Sequence, residues 1–302
     1  MNQIVLAADL GGTNMRMAAV DADGSILAHA RTATPRDDAN ALLTAMSGLA
    51  DECRNAVGDK RIVGIGVGVP ANFDAEGILA NLPNLRFMEG VNLKAELFAR
   101  LTLLVTLEND ATAAAIGEHW LGASKDVSDS IMVTLGTGVG GGIILNNEPL
   151  RGLDGTAGKI GHINVEPDGH PCGCGSHGCI EQYASATAIV RMANEVGLTS
   201  TTSLEVYEAV QSGDERARFV FQSMGRYLGI TLAGLVNTLN PEMIVIGGGA
   251  AAAWDAFIEP LTTELNYRAF DEPAVRAKIV RGTLGDNAGI LGAARSAFLS
   301  VN

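Results

Sequence analysis

The sequence is poor in positive charge, aromatic rings and cysteine, and it has no long apolar run. Lys and Arg number 21 against 34 Asp and Glu, a formal net charge of −13. A face that neutralises phosphate backbones needs a basic excess, so nucleic acid is excluded as the main partner. A local basic pocket for a nucleotide is not. No stretch reaches the roughly 18 consecutive apolar residues of a spanning helix, so no membrane segment is expected. The start, MNQIVLAADLGG, lacks a basic stretch followed by an apolar one, so no signal peptide is expected. Together these absences predict a cytoplasmic protein. No G-x-x-x-x-G-K-[ST] loop occurs, which excludes a Walker-type phosphate site. Of the four cysteines, Cys53, Cys172, Cys174 and Cys179, the last three fall within eight residues, which in a reducing compartment suggests metal more than disulfide.

What is present is apolar residue and glycine. Hydrophobic residues make up 47% and charged residues 18%, ample for a core and too apolar for disorder. The 302 residues allow two ordinary domains or one large one. Short apolar runs at Gln3–Ala8, Met15–Val20, Arg61–Val69, Leu103–Leu107, Ser130–Leu135, Ile143–Leu145 and Met243–Ile246 read as strands. Helical spacing marks Asn40–Val57, Val91–Leu101, Asp110–Trp120, Ser185–Val196, Leu204–Gln211 and Glu215–Leu239. Strands alternating with helices indicate an α/β fold. A strand, glycine turn, strand unit occurs twice, about 125 residues apart, too far for a solenoid repeat. A domain boundary is expected near residues 108–122.

The first glycine turn is DLGGTN, Asp9–Asn14; the second lies in LGTGVGGG, with the turn read as Gly136–Gly142. Glycine lets the backbone bring its N–H groups close to an anion. Gly11, Gly12, Thr13 and Asn14 in one loop, with Gly136, Thr137 and Gly138 in the other, are candidates for gripping a polyphosphate from two sides. Asp9 is placed to hold the hydration shell of a magnesium ion. Ordinary hairpin turns are the competing explanation. A third cluster, Gly247 and Gly248 with Gly249, follows a strand and offers bare backbone to a flat adenine ring; a plain strand-to-helix turn would look the same. Asp110 stands where a strand gives way to a helix, the sheet edge at which open α/β folds bind ligands. It reads equally as a general base for phosphoryl transfer or as a helix N-cap.

His162, Cys172, Cys174 and Cys179 have the composition of a closed tetrahedral zinc site, structural rather than catalytic. His170 and His177 compete for the fourth place.

The motifs DLGGT, ENDA, LGTGVGGG, Gly161–His162 and CGCGSHGCIE, in this order and spacing, resemble the ROK sugar kinases over about residues 4–295. GCIEQYASATAI is most similar to the bacterial glucokinases of that family. The resemblance implies an actin-like (ribonuclease H-like) fold of two α/β domains flanking a cleft. It places residues 1–110 with a returning helix at 290–302 in one domain and 111–289 in the other. It implies ATP, magnesium and structural zinc, a hexose substrate, and a homodimer. Asp110 becomes the base for the sugar 6-hydroxyl; Gly68, Asn84, Asn109, His162 and Glu181 become sugar contacts, with His162 also on zinc. One departure stands out. Where the family usually has E-x-G-H, this chain has Lys159-Ile160-Gly161-His162. A lysine cannot accept a hydrogen bond and reverses the charge. Lys159 therefore points either to a different sugar, N-acetylmannosamine, N-acetylglucosamine, mannose, fructose or allose among them, or to weak activity, down to a silent sensor. A ROK repressor is not expected, since Asp9 leaves no room before it for a helix-turn-helix. The zinc residues do not fit a filament-forming or chaperone-type actin-like ATPase.

Overall fold

The computed structural model describes residues 3–58, 61–82 and 85–301. Two five-stranded sheets carry the fold. The first is built from β1 (Ile4–Leu10), β2 (Asn14–Asp21) and β3 (Ile26–Ala33), then, after α1 (Ala39–Val57), from β4 (Ile62–Val69). A small hairpin, β5 (Asn72–Phe73) with β6 (Leu79–Ala80), and α2 (Leu93–Leu101) lead to β7 (Leu104–Asn109). Helix α3 (Asp110–Leu121) then crosses to the second sheet: β8 (Ser130–Leu135), β9 (Val139–Leu145) and β10 (Glu148–Pro149). An irregular segment follows, then α4 (Glu181–Ala184), α5 (Ala186–Glu195), α6 (Ser203–Gln211), α7 (Glu215–Leu239), β11 (Met243–Gly247), α8 (Trp254–Arg268), α9 (Asp271–Arg276), β12 (Lys278–Arg281) and α10 (Ala288–Val301).

The strand orders are β3-β2-β1-β4-β7 and β10-β9-β8-β11-β12. In each, two antiparallel hairpins are followed by two parallel strands. The repeated strand–turn–strand unit is thus the visible part of a repeated sheet.

Helices α10 and α3 lie between the sheets, α10 on β1 and β4, α3 on β8 and β9. Close approach is possible because the contact points lack side chains. A Cβ on Gly142 would sit 2.5 Å from the Ala115 Cβ and 2.8 Å from the Ala111 carbonyl. Gly66 abuts the backbone of Ala293, and Gly292 that of Ala113. This corrects the extent of the second turn, which the sequence places at Gly136–Gly142. Only Gly136–Gly138 turn; Gly140, Gly141 and Gly142 are in β9, bare because α3 and Ile160 press on that strand.

Further differences have local causes. β7 continues past Leu107 to Asn109, through Glu108, whose polar side chain hides a buried strand position. β3 escapes the sequence pattern because its residues are largely exposed. α7 is long and apolar enough to cross a membrane by composition, but 56% of its most apolar window is buried, mainly against α8. Burial of Phe221, Met224, Leu228 and Leu232 with Phe257 and Leu261 supplies the second lobe's core. Leu6, Leu10, Met17, Leu42, Met46 and Ile65 supply the first.

Candidate active site

The parallel strands β1, β4 and β7 end side by side. Asp9 pairs with Gly68, and Gly68 with Glu108, so Asp9, Gly68 and the Asn109–Asp110 pair share one sheet edge. A Cβ on Gly68 would lie 3.9 Å from the Asp110 Cα, ordinary contact distance, so Gly68 runs directly beside Asp110. Asn109, not Asp110, caps α3: its Oδ1 accepts from the N–H groups of Ala111 and Thr112 at 3.2 and 3.4 Å. Its Nδ2 remains available to a ligand. Asp110 is the first helical residue, and its Oδ1 accepts from Ala111 N–H at 2.9 Å. Burial lifts the Asp110 pKa above the usual carboxylate range. The Ala111 N–H lowers it, the charge of Asp9 raises it, and Lys159 pulls it back. Partial desolvation lowers the Lys159 pKa, and Asp110 raises it in return. The two side chains feel each other's charge without an ion pair within 4.0 Å among the described residues.

The first glycine turn is held by its neighbours in the sheet. Gly11 N–H donates to Asn14 at 3.1 Å, and Thr34 bonds both Gly11 and Thr13. The Arg36 guanidinium donates to the Thr13 hydroxyl at 3.2 Å. Asp9 is ion-paired with Arg16 and faces Gly289, at the start of α10. The second turn is held from outside its sheet. Gly136 N–H donates to Gly138; Ala186 N–H donates to Gly136 and the Thr187 hydroxyl to Thr137, both at 2.8 Å. Glu181 Oε2 accepts from Val139 N–H at 3.0 Å. The backbone N–H groups of Gly12, Thr13, Thr137 and Gly138 have no acceptor among the described residues, as an anion cradle requires. Gly248, at φ 87°, fits against Leu135 with 2.5 Å left for a Cβ, so the third glycine cluster joins the second turn. Gly247 pairs with Thr134 one residue earlier.

The candidate metal ligands converge. The donor atoms of His162, Cys172, Cys174 and Cys179 all lie within 4.8 Å of one another. His162 Nδ1 is 3.7 Å from Cys172 Sγ, and Cys174 Sγ 3.7 Å from Cys179 Sγ. A tetrahedron with bonds of about 2.3 Å to sulfur and 2.0–2.1 Å to nitrogen has edges of roughly 3.6–3.8 Å, so the set fits zinc. His170 is engaged elsewhere, with Arg191 and Glu195. The loop is tied to the second turn: Gly161 abuts Val139, Ile160 packs on Gly141, and Glu181 Oε1 lies 4.0 Å from Cys172 Sγ. Lys159 enters the 3-10 turn Ile160–His162, three residues from the metal set. Asn84, also expected to touch sugar, falls outside the described residues.

Sequence reasoning misses Arg16, Thr34, Arg36 and Thr187. Thr34 and Arg36 lie 23 residues from their partners and Thr187 lies 50, and no local pattern announces a bond formed across a sheet or between segments.

Two sheets of one topology, joined by α3 and α10, with a glycine turn in each, define an actin-like ATPase fold. The chain belongs to the ROK family, whose profile matches residues 5–298. A glucokinase of Halalkalibacterium halodurans is 37% identical over 311 aligned residues, covering 94% of this chain and 92% of that one. The solved ROK hexokinase of Thermus thermophilus superposes with a TM-score of 0.87 at 33% identity, covering 99% of both chains. The ROK family glucokinase of Streptomyces griseus, solved with glucose and AMPPNP, gives 0.84 at 33% identity, covering 98% of this chain and 99% of that one.

Proposed function

We propose that this chain is an ATP-dependent kinase that phosphorylates the 6-hydroxyl of a hexose, glucose foremost. The observation that carries it is Asp110, a half-buried carboxylate with a raised pKa at the edge where Asp9, Gly68 and Asn109 meet. Full-length similarity to glucokinases, and to one solved with glucose and AMPPNP, supports the same reading.

The chain's own groups divide the work. Asp110 takes the proton of the 6-hydroxyl as that oxygen attacks the terminal phosphorus and the bond to the nucleoside diphosphate breaks. Free N–H groups of the two turns hold the phosphates. Gly247 and Gly248 lie beside the second turn, where a nucleotide base would rest. Asn109 orients the sugar through Nδ2. His162 and Glu181 form the sugar wall, with Glu181 sharing its carboxylate between Val139 N–H and the ligand. Asp9, oxygen-rich and next to the cradle, fits the outer shell of a magnesium ion, which would neutralise phosphate charge when bound. Zinc, held by His162, Cys172, Cys174 and Cys179, would fix the loop that carries Lys159 and Glu181.

The working lobes would be residues 1–110 with 290–302, and 111–289, consistent with α10 packing on β1 and β4. We propose a homodimer located in the cytoplasm. Lys159 favours one second reading. An ammonium in electrostatic reach of Asp110 suits a sugar other than glucose, an N-acetylhexosamine among them, or a weak kinase that senses sugar.

A coupled assay with ATP and magnesium across glucose, mannose, N-acetylglucosamine, N-acetylmannosamine, fructose and allose tests the proposal. Turnover should be highest on glucose. Turnover on none of them would sink the kinase reading; preference for another sugar would favour the second.

A further inference from the structure

A second cavity opens between the lobes, where the edge strands β7 and β10 face one another over α3 and α10. Its volume is about 670 Å³, within the range of small-molecule sites. None of Asp9, Gly68, Asn109, Asp110 or Glu181 lines it.

Its wall holds a carboxylate with an unused acceptor. Glu108 is 5% exposed. Its Oε2 accepts from Arg151 at 2.7 Å and from the Ser296 hydroxyl at 3.4 Å. Its Oε1 has no partner among the described residues, and the side chain's remaining surface opens on this cavity. Arg151 spends one nitrogen on Glu108 and keeps other donors free. Across the cavity the Arg295 guanidinium is fixed over the Trp120 ring at 5.4 Å, with no acidic partner among the described residues. Glu148, on the rim, likewise has no basic partner among them. The lining thus carries two carboxylates, Glu108 and Glu148, and two guanidiniums, Arg151 and Arg295, and their formal charges balance. A charged ligand would leave one sign uncompensated.

We propose that this cavity is a second binding site, for a neutral polyhydroxylated ligand such as a saccharide or sugar alcohol. A hydroxyl is donor and acceptor at once. Adjacent hydroxyls can therefore donate to Glu108 Oε1 and accept from Arg151 or Arg295, satisfying both. The site lies outside the catalytic cleft but touches it through the chain. Glu108 directly precedes Asn109 and Asp110, and its bond to Arg151 ties the first sheet to the segment after β10. Occupancy would change that tie beside the base. The inference does not depend on the kinase reading.

Trp120 and Trp254 are the two tryptophans, so a Trp254→Phe chain reports on the cavity through Trp120 alone. Glucose, maltose, sorbitol and inorganic phosphate are titrated in turn, and bound sugar is counted by equilibrium dialysis. At least one of the three polyols should change Trp120 emission saturably. Arg151→Met should weaken that response about tenfold or more and remove one bound sugar per chain relative to the parent. Arg295→Gln should do the same from the opposite wall. The difference of one sugar, not the total, is the measure, so a catalytic cleft that binds no sugar leaves the test intact. The proposal is overturned if no polyol alters Trp120, if phosphate alone does, or if the response and stoichiometry survive both substitutions.

Discussion

The two glycine turns share a backbone and differ in what holds them. Each closes with a glycine N–H bonded within the turn and leaves two N–H groups free. The first is anchored within its own sheet, by Thr34 on the segment after β3, and carries charge in Asp9 and Arg16. The second carries no charge. It is anchored by Glu181, Ala186 and Thr187, which follow the cysteine loop. The repeated sheet therefore supplies two similar turns. One is flanked by charge. The other leans on the segment that follows the candidate metal ligands.

The sharpest break of this comparison is at Asp110, which sits with the first turn's sheet. Asp110→Asn should lower kcat by about 10²–10⁴-fold, with circular dichroism and zinc content unchanged. Near-normal turnover would reject it as the base.

Removing the metal should separate the turns. Cys179→Ser deletes a fully buried ligand and should lower the melting temperature by about 10 °C. Hydrogen exchange should quicken at Gly136–Gly138 and stay slow at Gly11–Thr13. Equal loosening of both turns would contradict the distinction drawn above.

Packing beside the second turn gives a smaller effect. Gly142→Ala, which forces a methyl onto Ala115, should cost about 1–3 kcal/mol in urea unfolding. Gly48→Ala, on the exposed side of α1 with nothing within 4 Å, should instead stabilise by about 0.5–1 kcal/mol. Similar values for the two would mean α3 does not press on β9.

Lys159 gives the smallest effects. Lys159→Glu restores an acceptor and should lower KM for glucose; an unchanged or higher KM counts against this. The acid limb of kcat/KM should lie above the usual carboxylate range of about 3.9, because burial keeps Asp110 protonated to higher pH and only the deprotonated form is a base. Lys159 favours the charged carboxylate, so Lys159→Met should move that limb further up in pH. A shift downward would show that the ammonium does not reach Asp110.

Much of the candidate site was legible because glycine turns and clustered metal-ligand residues are local patterns. DLGGTN, LGTGVG and the Cys172–Cys179 spacing each stand out within a dozen residues. Asp110 was legible as a residue and ambiguous as a role. The structure gives the cap to Asn109, so capping does not account for Asp110. The reach of β9 was misread because Gly140 and Gly142 answer to α3, a helix some 25–30 residues earlier in the chain, and Gly141 to Ile160, and not to their own turn. The choice among His162, His170 and His177 also needed the fold: Arg191 and Glu195 occupy His170, while His162 meets Cys172.

The sequence by itself determined the α/β class, the two glycine turns, the family and the residue types of the candidate metal site. These depend on short-range spacing and backbone permissiveness, which the order of residues encodes directly. Only the tertiary structure decided that the metal loop braces the second turn through Glu181, that Lys159 feels Asp110, and that Glu108 and Arg151 join the lobes beside a second cavity. Those are contacts between segments 42–49 residues apart, and what brings such segments together is the burial of both sheets against α3 and α10.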